Sequence, residues 1–176
     1  ITNKLSSSRS RHFKIRAGDL GRQLSLASTL IAAGIDTPVL KVKIDGFDTH
    51  EDQPWRHQRL LENLGRAVSG FAQQMRKIGQ WDNTLVLTYS EFGRRAVENS
   101  TSGTDHGTAA PHFLAGGSIN GGIYGKHPSL SRLVDGDMQF TMDYRSVYDW
   151  ILSQWFEIEN NRFKEYRAAE LNSLTS

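Results

Sequence analysis

The sequence predicts an α/β fold, a mainly parallel sheet with helices on both faces, and three observations predict it. The run from Thr84 to Ser90 is a continuous β-rich stretch, the pattern of a strand covered on both sides. Two long stretches before it carry apolar residues at helical spacing. Strand-like and helical segments alternate, and strand, helix, strand in that order implies parallel pairing through a right-handed crossover.

In chain order, Leu20, Leu24, Ala27, Leu30 and Ile31 recur at spacings of three and four, which predicts a helix from Asp19 to Ala33. Gly34 stands where a left-handed cap would end it, and Pro38 forbids its resumption. Leu40, Val42 and Ile44 then alternate with Lys41 and Lys43, a period-two strand that Asp45-Gly46 closes. After Pro54 a second helix runs to about Ile78, with Leu60, Leu64, Val68, Phe71, Met75 and Ile78 on one stripe and Gly79 after it. The strand at 84–90 follows. Residues 91–110 have no periodicity and read as a long, polar, functional loop. Pro111 to Ala115 is a short strand ending in Gly116-Gly117, and Gly121, Gly122 and Gly125 mark tight turns. Thr141 is the expected cap of a last helix that turns Tyr144, Val147, Tyr148, Ile151, Leu152 and Trp155 inward. A short helix is expected around 159–170.

Composition bounds what this fold can do. At 176 residues the chain is the length of one domain, and 38% hydrophobic with 23% charged residues is ordinary globular composition. No apolar run approaches a membrane span, and no secretory signal opens the chain. It begins with Ile1, as a processed or truncated start would. There is no cysteine, so disulfides, Cys-ligated zinc and thiol nucleophiles are excluded, and any metal must be held by His, Asp and Glu. Residues 1–17 carry Lys4, Arg9, Arg11, Lys14 and Arg16 without an acid, which leaves a negative body from a chain of net charge +2. We read 1–17 as a basic, solvated and disordered lead-in and 18–176 as the folded part. A nucleic-acid partner would call for basic residues interleaved with aromatics on a folded face, which this arm lacks.

Ligands of a parallel sheet gather beyond the carboxyl ends of its strands, so the polar clusters after strands are the candidates. Three exist: Asp48-Thr49-His50; Glu91 with Arg94 and Arg95 behind it; and Gly103-Thr104-Asp105-His106-Gly107. Asp48, His50, Glu91 and His106 together would make a nitrogen and oxygen metal shell. The arginines would grip a planar or tetrahedral anion through forked hydrogen bonds. Each piece alone has a plainer reading: a turn Asp beside an exposed His, a surface Glu, a structural loop His. His12 and His57 are given no role. His112 reads as a hydrogen-bonded core histidine, and His127-Pro128 as turn chemistry.

Several of these segments carry a family resemblance. Gly-Phe-Asp-Thr-His at 46–50, Leu-Thr-Tyr-Ser-Glu-Phe-Gly-Arg-Arg at 87–95 and Gly-Thr-Asp-His-Gly-Thr-Ala at 103–109 resemble the signatures of the bacterial domain of unknown function fifteen-oh-one. Further matches are the Gly-Gly pairs near 116 and 121, Tyr-Gly at 124–125 and Thr-Met-Asp-Tyr-Arg at 141–145, so the resemblance spans about 18–157. That family is often exported with a twin-arginine signal and is classed with the alkaline phosphatase, sulfatase and cofactor-independent phosphoglycerate mutase superfamily. The resemblance implies an alkaline-phosphatase-like fold, incomplete at its amino-terminal side, and a metal-dependent hydrolase of phosphate or sulfate esters.

By the same resemblance, Asp48, His50 and His106 match ligands of a first divalent metal (zinc, manganese or calcium), and Glu91 stands where a second metal is expected. Arg94 and Asp105 are the catalytic candidates. Two departures limit the transfer: Phe92 follows Glu91 where His would pair with Asp, and the Asp48 to His50 spacing is two rather than four. At most one tight metal site is therefore expected. The nucleophile-bearing strand of the superfamily would precede Ile1. The implied partners are a small anionic ester and either a missing amino-terminal half or a second copy, with no membrane, in the periplasm or outside the cell. The competing reading is a non-catalytic exported binding or scaffold protein.

Overall fold

Two helices laid against each other build the first of two units in the computed structural model, which describes residues 13–175. This unit comprises the chain up to Thr84 together with Ser100–Gly103. Helix α1 spans Gly18–Ala32 and α2 spans Gln53–Lys77. Leu20, Leu24 and Ala27 of α1 and Phe71 and Met75 of α2 are buried as the spacing predicts, joined by Ala67 and Ala72, whereas Leu30, Ile31, Leu60, Leu64, Val68 and Ile78 of the expected stripes are half-buried. Each large apolar side chain fully buried in this way stabilises by about 1.5–3 kcal/mol. Ile15 joins this core and packs where Gly70 carries no Cβ. The basic lead-in of the sequence reading lies outside the described residues over 1–12, His12 included.

Both helices end as their glycines imply. Gly34 has φ +63°, and the N–H of Ile35 returns to the carbonyl of Leu30 at 3.1 Å. Gly79 has φ +67°, and Gln80 N–H returns to Met75 O at 2.8 Å. Only a residue free of Cβ repulsion enters that region at little cost, so these are six-to-one closures that satisfy otherwise orphaned carbonyls.

The second unit comprises Leu85–Asn99 and Thr104–Ser176, of which Ser176 lies outside the described residues. Strand β1 (Leu85–Leu87) pairs antiparallel with β4 (Leu114–Gly116), Val86 facing Ala115. Strands β2 (Gly93–Glu98) and β3 (Thr104–Gly107) form a second antiparallel pair, with a register shift between Arg94 and Glu98. Helix α3 (Tyr144–Trp150) runs into one wider turn, Ile151–Trp155, where Phe156 N–H reaches back five residues to Ile151 O at 3.0 Å. Trp150, Leu171 and Leu174 are the core, with Leu85, Leu114, Ile119 and Val147 against them.

The expected parallel α/β sheet, and with it the alkaline-phosphatase-like architecture, is overturned. Among the described residues the only strands form two separate two-stranded antiparallel sheets. Residues 38–49 form no strand. One physical reason is local: the Gln23 amide takes both backbone groups of Lys43, accepting from its N–H at 2.9 Å and donating to its O at 2.8 Å. Those are the groups a neighbouring strand would have needed. The apolar run at 84–90 contributes only three strand residues and finds an antiparallel partner. Residues 91–110, expected to be irregular, contain the β2–β3 pair.

The carboxy-terminal expectations also shift. Asp143, not Thr141, caps α3, its carboxylate accepting Arg145 N–H at 2.9 Å. Trp150 turns inward, whereas Tyr144 is 59% exposed. The helix expected around 159–170 is two single turns, Lys164–Tyr166 and Ala169–Leu171. No helix among the described residues is long and apolar enough to cross a membrane.

Candidate functional site

In the first unit the Asp48-Thr49-His50 segment is anchored by its middle residue. Thr49 is buried; its N–H donates to Phe47 O at 2.9 Å, and its hydroxyl accepts Gln53 Nε2 at 3.0 Å. The residues on either side are exposed, and Asp48 Oδ1 and His50 Nε2 stand 3.0 Å apart. The backbone of His50 is fixed as well, since its carbonyl accepts the Thr101 hydroxyl at 2.7 Å. Gly103 lies flat on that carbonyl, and any Cβ there would collide with it. Residues 101 and 102 complete the clasp by accepting the N–H groups of Asp52 and Gln53 at 3.1 and 2.8 Å, at the start of α2. Pro54 suits the first turn of that helix, where its missing N–H costs nothing. His57, given no role, packs edge-on against Phe47, with ring centroids 5.6 Å apart.

In the second unit, register brings two of the candidates together. Arg94 on β2 faces His106 on β3. Phe92, two residues before Arg94, lies under both. Its ring stacks on the His106 imidazole with 3.8 Å between centroids and 9° between planes, and the Arg94 guanidinium sits 4.9 Å from the same ring. Arg94 Nη1 also donates to the carbonyl of Thr104. Asp105, by strand alternation, faces away from the side His106 occupies. Glu91 is exposed in the bend between β1 and β2, and Arg95 reaches toward Gly136. His106 and Asp105 are both exposed.

Other motif residues prove structural. Asp143 and Arg145, within the Thr-Met-Asp-Tyr-Arg segment, form an ion pair at 2.5 Å, and the Arg145 guanidinium lies 3.7 Å from the Tyr166 ring. The hydrogen bonds from Arg145 hold the Asp143 carboxyl below the ordinary range, against the opposing effect of burial. His112 is hydrogen-bonded as expected, Nδ1 lying 3.1 Å from Thr88 O, but it is exposed rather than in the core.

Two contributors were missed in the sequence. In the sequence Phe92 enters only as the residue after Glu91 where a His would be expected, although an aromatic two positions before a strand arginine is a legible signal for a shared face. Asp137 binds Thr108 N–H at 2.9 Å and closes over Gly107, and no local pattern announces it.

The family model described as protein of unknown function (DUF1501) matches residues 5–158. No curated protein and no solved structure matches the chain. A match over that share of the sequence, taking in all three polar clusters, makes this chain a member of the DUF1501 family.

Proposed function

We propose that this chain carries the metal-binding residues of a sulfatase-like, metal-dependent hydrolase of phosphate or sulfate esters. One divalent ion would be held by Asp48, His50 and His106. The observation that carries this reading is the Asp48–His50 pair, two exposed donors 3.0 Å apart on a segment pinned by buried Thr49. Two ligands about 2.0–2.2 Å from one tetrahedral ion stand roughly 3.3–3.5 Å from each other, so the pair needs little adjustment. That His106 shares the ion with this pair rests on the motif resemblance at 103–109. A carboxylate and two imidazoles suit zinc first and manganese next, while calcium would want more oxygen.

When bound, such an ion polarises an ester oxygen and lowers the pKa of the attacking oxygen. The chain's own contribution is binding and orientation. Arg94, held on Phe92 and Thr104, would grip the anionic group with directed N–H donors. Glu91 would remain a lone carboxylate and bind no second ion firmly. Asp105 is the second catalytic candidate, on the strength of its place beside His106 in the sequence. Export through the twin-arginine route and a partner segment or second copy belong to the same reading and rest on the motif resemblance.

A titration of the zinc-loaded chain with inorganic phosphate and with sulfate tests this. Anion binding that weakens at least about tenfold in Arg94→Ala is expected, the loss of a forked, charge-assisted contact. A loaded chain indifferent to both anions overturns it. A non-catalytic metal-binding or scaffold protein is the second reading, and Phe92 favours it by filling with a packed ring the position where a second-metal ligand is expected.

A further inference from the structure

We infer that Phe92 is a positioning residue for His106, setting the plane in which the imidazole presents its nitrogens to a metal ion; this rests on the metal reading above. The contact is a face-to-face stack, 3.8 Å between centroids and 9° between planes. Imidazole lone pairs lie in the plane of the ring. A parallel stack therefore covers one face of the imidazole and leaves its edge, where the nitrogens lie, uncovered by Phe92. An edge-on contact would have covered a nitrogen.

Phe92 can serve as a rigid platform because its own backbone is held on both sides. The Ser90 hydroxyl donates to Phe92 O at 2.9 Å. Next to it, Gly93 is buried and presses on the backbone of Ala109 so closely that no Cβ would fit. Gly93 also pairs with Gly107, the residue after His106, so the ring and the imidazole are tied through one rung of the β2–β3 ladder. Outer residues that orient a metal-binding histidine are commonly worth about tenfold to a hundredfold in metal affinity.

The experiment is calorimetric titration of the full chain with zinc, comparing wild type, Phe92→Leu and Phe92→Tyr. Phe92→Leu keeps apolar bulk without a ring; Phe92→Tyr keeps the ring and checks that substitution itself is tolerated. We expect zinc affinity to fall about tenfold or more in Phe92→Leu at unchanged stoichiometry, and to be kept in Phe92→Tyr. Proton NMR of the metal-free chains gives an independent reading: the His106 ring protons should be shifted upfield by the stacked ring in wild type and relax in Phe92→Leu, while the His50 protons stay in place. Equal zinc affinity in wild type and Phe92→Leu overturns the inference and leaves the metal reading standing. A wild-type chain that takes up no zinc overturns both, even if the NMR shift shows the stack. A Phe92→Leu chain that does not fold is replaced by Phe92→Met, with the same expected loss and the same overturning result.

Discussion

The Asp149 carboxylate accepts two hydrogen bonds from Arg167, Nε to Oδ2 at 2.8 Å and Nη2 to Oδ1 at 3.3 Å, in a position where the aspartate is almost wholly buried. Asn161 adds a third at 2.8 Å, so residues 158–168 are tied to α3 through one side chain. A polar cavity of about 150 Å³ adjoins the pair, with Ser153 and Gln154 of the wide turn in its wall.

The Arg167 hydrogen bonds hold the Asp149 carboxyl below its ordinary range, outweighing the burial that would raise it. A carboxyl lowered in the folded state contributes stability that is complete above its unfolded value near 3.9. That contribution is lost as pH falls through the lower, folded value. Asp149→Ala should cost about 2–3 kcal/mol at pH 7 and make stability fall less steeply below about pH 4. In Arg167→Met the buried carboxyl loses its main partner, so acid unfolding should begin at higher pH than in wild type. Urea unfolding at pH 7, 5, 4 and 3 measures both, and identical acid profiles for the three proteins would refute the assignment.

Gly103→Ala tests the clasp on His50. A methyl group has no space against the His50 carbonyl, so the substitution must push the 100–103 segment off the start of α2. Overpacking of this kind costs roughly 1–3 kcal/mol. The denaturant midpoint should drop with its slope unchanged. Gly34→Ala is the control: nothing lies within 4 Å of that site, so its cost, about 1–2 kcal/mol, comes from the left-handed backbone alone. Zinc affinity should weaken in Gly103→Ala and stay put in Gly34→Ala.

Turnover of aryl phosphates or sulfates by residues 1–176 alone is expected at background. None of the matched motifs is the nucleophile-bearing strand that the resemblance implies. Steady hydrolysis by pure protein, abolished in His106→Ala, would show that the residues of this chain suffice.

Helical spacing made α1 and α2 legible, together with buried Leu20, Leu24, Phe71 and Met75 and the glycine ends, because a one-sided apolar pattern and a left-handed cap are local properties. The sheet was not legible. Strand direction and partner are set by contacts between distant segments, and Val86 says nothing by itself about meeting Ala115 in antiparallel register. Lys43 shows the same limit, since its alternating neighbours read as a strand while a glutamine 20 residues away took its backbone bonds. For the candidate site, Asp48 and His50 were singled out as a polar cluster after an expected strand that does not form, and His106 by its glycine flanks and family resemblance. The stack of Phe92 on His106 was not legible, because a ring-face contact depends on how two separate segments pair.

The most direct test of the account is calorimetric titration of metal-stripped protein with zinc or manganese. A carboxylate and two imidazoles leave room for water at a four-coordinate ion, and Glu91 by itself cannot hold a second. The account predicts a stoichiometry near one, abolished in His106→Ala and in Asp48→Ala. Two tight sites, or no binding at all, would contradict it.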